Sequence, residues 1–116
     1  AANGAFGHVG VTTSATVPSI EEFAAKFKKT YGRDTDHNGI KGYIAVYAVK
    51  YVSEMNGKLD RQALADKLHG LTLDAAKYPG MLLTTSWDAK GELSRESFMT
   101  EVKDGKQVVI GTVPAN

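Results

Sequence analysis

The residues best suited to chemistry lie in one polar run, Asp34-Thr35-Asp36-His37-Asn38-Gly39. Oxygen-bearing side chains at positions 1, 3 and 5 and a glycine at position 6 match the first half of an EF-hand calcium loop. The second half departs from that pattern, because position 8 is Lys41 and position 12, where a bidentate Glu belongs, is Ala45. We therefore interpret the run as a polar turn in which Asp or Asn caps the next helix. A calcium-binding module using Asp34, Asp36 and Asn38 stays open as an alternative.

Other residue combinations that support catalysis are missing from the sequence. The histidines, His8, His37 and His69, have no metal-ligand spacing, and no cysteine is present as a nucleophile or zinc ligand. Glu21 and Glu22 are adjacent on a predicted helix, so their carboxylates do not face each other. The sequence has no nucleophile elbow and no phosphate-binding loop. We predict a protein that is not an enzyme, with no catalytic residue, cofactor or bound metal.

Length and charge narrow the remaining classes of function. A chain of 116 residues predicts one domain. Lys+Arg total 14 and Asp+Glu total 13, so the net charge of +1 offers no basic surplus for nucleic acid. The strongest apolar run, residues 44–49, is far shorter than the ~20 residues that a membrane-spanning helix needs. The chain opens without Met, as a processed or truncated chain would.

Three helices must position these residues. The first is predicted to open with a capping box formed by Ser19 and Glu22 and to end at Gly32. The second runs from about residue 40 to residue 56 and is apolar around most of its circumference. Such a helix is normally buried on several sides, so we expect material outside this chain, or a second copy, to cover it. The third is short and has Asp60 as its N-cap.

Strands are predicted on both sides of the helices. Alternating residues within 5–17 favour a strand before the first helix, and residues 81–87 favour an extended segment after the third. Asp104-Gly105 lies between the alternating apolar runs 97–103 and 107–113, which is a strong hairpin signal. The order of elements therefore indicates an α/β or α+β fold.

This order resembles one known family, the leucine/isoleucine/valine-binding (type I) periplasmic solute-binding proteins of ABC transporters. The segments that carry the resemblance are residues 10–18, the helix 21–32, the long helix 42–57 with the short helix 59–68, the segment 80–91 and the closing hairpin around 104–110. Together they cover nearly the whole chain. The resemblance corresponds to about the last third of a family member.

The resemblance implies a two-lobed α/β fold that clamps a ligand between its lobes. This chain would be a single fragment forming a partial lobe, with a β strand, three helices and a C-terminal hairpin. Residues 1–18 would be a hinge-crossing strand, 19–79 the helical part of one lobe, and 80–116 the return crossing and hairpin.

The resemblance also implies a site and partners. A position near Asn38, flanked by His37 and Gly39, would face the ligand, and the helix start would offer unpaired N–H groups to a carboxylate. The ligand would be an amino acid or a small organic or aromatic acid, and the partner an ABC permease in the membrane. The location would be the periplasm. Independently of the resemblance, the lack of a basic surplus predicts that no nucleic acid is bound.

A partial lobe should behave unlike a complete receptor. We expect it to bind ligand weakly or not at all and to self-associate through exposed apolar surface. Domain swapping would use residues 97–113 as the exchanged segment and residues 81–91 as the hinge. A stand-alone α+β interaction module is the other interpretation that the sequence leaves open.

Overall fold

The computed structural model describes residues 2–116, which form a mixture of helices and small antiparallel sheets. In chain order the elements are β1 (Phe6–Val9), α1 (Pro18–Tyr31), α2 (His37–Asn56), α3 (Arg61–Leu68), β2 (Thr72–Leu73), a 3₁₀ turn (Pro79–Met81), β3 (Thr85–Trp87), β4 (Leu93–Arg95), β5 (Ser97–Lys103) and β6 (Lys106–Val113). The predicted order of a strand, three helices and a C-terminal hairpin is confirmed. The described chain divides into two units.

The first unit comprises residues 2–41 and Glu96–Ala115. Its sheet has the strand order β1-β5-β6, with both pairs antiparallel. The buried side chains of this unit include Phe98 on the central strand, Ile20 and Phe23 on α1, and Ile40 in the first turn of α2. Their apolar surface is removed from water, and this burial is the main source of stability for a small unit.

The C-terminal hairpin follows the prediction closely. Lys103 pairs with Lys106, and Asp104 and Gly105 form the two-residue turn with φ of 50° and 74°. Two positive φ angles match the right-handed twist of the flanking strands, which explains the Asp-Gly sequence. An irregularity in the register between Met99 and Thr100 interrupts the ladder.

The second unit comprises Gly42–Arg95 and Asn116. Its sheet has the strand order β2-β3-β4. Ile44, Ala48 and Val52 of α2 recur every four residues and are buried. On other faces of α2, Val46 is 69% exposed and Val49 is 44% exposed. This chain therefore buries one stripe of the apolar helix, and the expectation that something else covers its remaining faces stays a prediction.

The capping box predicted for α1 is wrong. The helix begins two residues earlier than a Ser19 N-cap implies, with Pro18 in its first turn and Val17 as an N-cap that makes no side-chain hydrogen bond. Proline suits this place because its missing N–H would have had no partner within the helix. The predicted end is confirmed, since Gly32 has a φ of 67° and its N–H donates to the carbonyl of Lys28 at 2.8 Å.

Two strand predictions were too long. The first strand ends at Val9, so the alternating Val11 and Thr13 lie in the loop that follows it. In the segment 81–87 only Thr85–Trp87 forms a strand. Leu82 interrupts it with a φ of 58°, and the N–H of Leu83 donates to the carbonyl of Met81 at 2.6 Å. This three-residue turn redirects the chain before β3. The hinge-crossing interpretation of residues 1–18 and 80–116 stays a prediction.

Candidate functional site

The start of α2 is fixed by the carboxylate of Asp36. Its Oδ1 accepts hydrogen bonds from the N–H groups of Asn38 and Gly39, both at 3.0 Å. Its backbone carbonyl accepts the N–H of Ile40 at 3.2 Å. Because Asp36 satisfies these first donors, the helix begins at His37 rather than at Ile40. The interpretation of the polar run as a helix-capping turn is confirmed.

This cap corrects the expectation that the helix start offers free N–H groups to a ligand. The N–H groups of Asn38 and Gly39 are already bound to Asp36, and the Asn38 Nδ2 donates to the Asp36 Oδ2 at 3.3 Å. The Gly39 N–H and, to a smaller extent, the hydrogen bonds from Asn38 hold the pKa of Asp36 below its ordinary value, against an opposing effect of desolvation. The carboxylate of Asp36 therefore already occupies the N–H groups of Asn38 and Gly39 at the helix start.

The same contacts bear on the calcium interpretation. The carboxylate of Asp34 forms an ion pair with Lys28 at 3.0 Å, and that of Asp36 is occupied by the helix cap. Position 45 lies inside α2 and is alanine, which has no side-chain oxygen to offer. Within residues 2–116 no group of three or more His, Cys, Asp or Glu residues is placed to hold a metal ion. The contacts favour the capping turn over a calcium loop.

A cavity of about 440 Å³ opens beside the first turn of α2, entirely within the first unit. Its walls are the end of β1 and the loop after it, the residues just before and in the first two turns of α2, and one side chain of β6. The lining residues are Val9, Gly10, Val11, Thr12, Thr13, Ser14, Thr35, Asp36, His37, Lys41 and Gln107. Polar side chains predominate, and two of them, Asp36 and Lys41, carry opposite charges.

The structure separates the three predicted site residues. His37 lines the cavity, whereas Asn38 and Gly39 are not among its lining residues. A Cβ at position 39 would collide with Oγ1 of Thr35, so a larger residue there would force the Thr35 side chain to move. Gly39 instead borders a smaller cavity of about 270 Å³ beside Phe27.

Hydrogen bonds between its own residues hold one wall of the larger cavity in place. The hydroxyl of Thr12 donates to Oε1 of Gln107 at 2.8 Å and accepts the N–H of Ser14 at 3.2 Å. Thr12 is 5% exposed, so its hydroxyl is largely shielded from water, whereas Gln107 is exposed. The hydrogen bond between Thr12 and Gln107 joins the loop after β1 to β6 across 95 positions of sequence.

Sequence reasoning missed most of this cavity. Lys41 could have been found, because it lies one helical turn after His37 and therefore shares its face of α2. Thr12 and Gln107 meet through the β1-β5-β6 sheet, whose strand order the sequence did not reveal.

Comparison with protein families identifies the class. The family model described as periplasmic binding protein matches residues 1–107. The chain therefore belongs to the periplasmic binding protein family. None of the curated proteins matches the sequence significantly.

The chain is also similar in fold to solved solute-binding proteins. A solute-binding protein from Rhodopseudomonas palustris BisB5, in complex with 3,4-dihydroxybenzoic acid, has a TM-score of 0.77 and 19% identity over 98% of this chain. A periplasmic binding protein from Burkholderia mallei has a TM-score of 0.79 and 13% identity over 97% of this chain. The leucine-binding protein of Thermotoga maritima has a TM-score of 0.72 and 19% identity over 97%.

The chain spans about a third of the length of these proteins, covering 32%, 31% and 31% of them respectively. At identities below 20% the similarity establishes the fold. Among the helices of residues 2–116, none combines the length and hydrophobicity needed to cross a bilayer.

Proposed function

We propose that this chain is part of the solute-binding component of an ABC transporter and contributes to a site for an amino acid or a small organic or aromatic acid. The observation that carries the proposal is a polar cavity at the start of α2, bordered by His37, in a chain that belongs to the periplasmic binding protein family. Closure of two lobes around the solute, followed by docking on a membrane permease, would be the mechanism. The proposed location is the periplasm.

The likeness to solute-binding proteins supports this choice of ligand class. The structural neighbours include one in complex with 3,4-dihydroxybenzoic acid and one described as a leucine-binding protein. The cavity of about 440 Å³ lies within the range of small-molecule sites. His37 is proposed as a ligand contact, with Asn38 and Gly39 shaping the turn beside it.

Affinity should be low, because the chain spans only about a third of its structural neighbours. We expect leucine, benzoate and 3,4-dihydroxybenzoate to bind with Kd no tighter than about 1 mM. Chemical-shift changes in ¹⁵N-labelled protein should cluster at residues 9–14 and at His37. Micromolar binding by isothermal titration calorimetry would contradict the expectation of an incomplete site. Absence of saturable shifts with every solute up to about 50 mM would contradict solute binding by this chain.

Self-association is a second part of the proposal. Strand β6 is an edge strand whose Val108 is 38% exposed and whose Ile110 is 46% exposed. An exposed apolar edge can pair with another chain. Light scattering should therefore give a mass above 12.4 kDa. Lys substitutions at both positions should reduce the mass, and a concentration-independent monomer would contradict the proposal.

A further inference from the structure

The cavity beside α2 carries a more specific inference about its ligand. We propose that Lys41 and Gln107 bind a carboxylate there and that the cavity selects acids over zwitterionic amino acids. This inference rests on the proposed solute-binding function and names the substrate class of that same site. It follows from which polar groups of the cavity already have partners and which do not.

The side-chain acceptors of the cavity are largely occupied. Oδ1 of Asp36 accepts two backbone N–H groups, and its Oδ2 accepts the side-chain amide of Asn38. Oε1 of Gln107 accepts the hydroxyl of Thr12, which itself accepts the N–H of Ser14. An ammonium group entering the cavity would therefore meet oxygens that already accept hydrogen bonds, and would gain less from them than from acceptors without a partner.

The donors of the cavity are less committed. Within residues 2–116, Lys41 forms no ion pair and no hydrogen bond of its side chain. Because the Gln107 Oε1 accepts from Thr12, the Nε2 of the same amide retains its two N–H groups. The hydroxyls of Thr13 and Ser14 can also donate toward the cavity. A carboxylate is the small group that such a set of donors recognises best.

The charges agree with this assignment. Lys41 supplies the positive charge, and the negative charge of Asp36 is partly offset by the helix N–H groups and the helix dipole. An acid without an ammonium group can pair its carboxylate with the Lys41 ammonium, which has no other partner among the described residues. A zwitterion also brings a second cation near Lys41, which costs free energy at short distance.

The test titrates the ¹⁵N-labelled chain at pH 7 with sodium benzoate, benzamide or phenylalanine, with sodium chloride added to constant ionic strength. We expect saturable shifts from benzoate at the amides of residues 12–14, Lys41 and Gln107. Benzamide and phenylalanine should bind at least about tenfold more weakly, because benzamide has no charge for Lys41 and phenylalanine adds an ammonium group.

Two variants and one control sharpen the result. Lys41→Met and Gln107→Glu should each weaken benzoate about tenfold or more, since the first removes the cation and the second places a like charge beside the ligand. Lys29→Met removes an exposed charge of α1 outside the cavity and should leave the affinity unchanged. Wild-type-like spectra away from the cavity would establish that each variant is folded.

The outcomes separate the inference from the proposed function. Equal binding of phenylalanine and benzoate, or benzoate binding that Lys41→Met does not weaken, would overturn the inference while solute binding stands. Shifts with leucine or phenylalanine but none with benzoate would do the same. No saturable shift with any solute would overturn both.

Discussion

The hydroxyl of Tyr51 offers a sharp test of the packing in the second unit. It accepts the N–H of the buried Gly80 at 3.0 Å. The Tyr51 ring contacts those of Tyr47 and Tyr78, with centroids 5.6 and 5.0 Å apart. A Cβ at Gly80 would collide with the ring of Tyr47, so the 3₁₀ turn approaches this tyrosine row closely. Replacing Tyr51 by Phe removes the acceptor and retains the ring.

The magnitude follows from the group that is left without a partner. The substitution loses one hydrogen bond and leaves the Gly80 N–H without an acceptor, which costs about 1–3 kcal/mol. The ring contacts, worth about 0.5–1.5 kcal/mol per pair, are unchanged. A chain of this size loses about 4 °C in Tm for each kcal/mol. Tyr51→Phe should therefore lower Tm by roughly 4–12 °C.

Urea denaturation followed by circular dichroism measures the change in the free energy of unfolding. The matched control is Tyr78→Phe, because no hydrogen bond involves the Tyr78 hydroxyl within the described part of the chain. Its stability should stay within about 0.5 kcal/mol of the wild type. Hydrogen exchange of the Gly80 amide should accelerate only in Tyr51→Phe. Equal stability of the two variants would refute the reasoning.

Two further predictions concern local backbone and charge. Gly105→Ala should destabilise the chain by about 1–2 kcal/mol in urea denaturation, because its φ of 74° is unfavourable for a residue with a Cβ; a change below about 0.3 kcal/mol would contradict this assignment. Asp36 has its pKa lowered below the ordinary 3.8, so its contribution is present above that pH and is lost as the pH falls through the lowered pKa. Asp36→Asn should make Tm less dependent on pH between about 2 and 5 than in the wild type, and parallel profiles would count against the cap.

Sequence patterns of a few residues correctly predicted several helix caps and turns that depend only on neighbouring residues. Asp60 caps α3 by accepting the N–H of Ala63 at 2.8 Å, as expected from its type and position. Asp104-Gly105 forms the hairpin turn, and Gly32 ends α1. Each depends on a backbone angle or a hydrogen bond within a few residues, so the sequence around it is sufficient.

The elements that sequence reasoning missed depend on distant pairing. Strands β2 and β4 have two and three residues, too few for an alternating pattern to identify them. β2 pairs with β3 through Leu73, whose burial is decided by neighbours brought together in the fold. The start of α1 differs from the prediction for another reason: Ser19 and Glu22 match a capping box, but Pro18 suits the first turn of a helix and moves its start upstream of Ser19.

The candidate site shows why residue types alone could not specify the ligand. From the sequence, Asp36 and the helix start suggested a place for a cation or a carboxylate. The structure shows that these two groups satisfy each other, because the Asp36 oxygens accept the first N–H groups of α2. What a ligand meets is therefore decided by the groups that remain, above all the ammonium of Lys41 and the amide of Gln107. A ligand at this site is recognised by the polar groups that have no partner within the protein. Only the three-dimensional contacts show which groups those are.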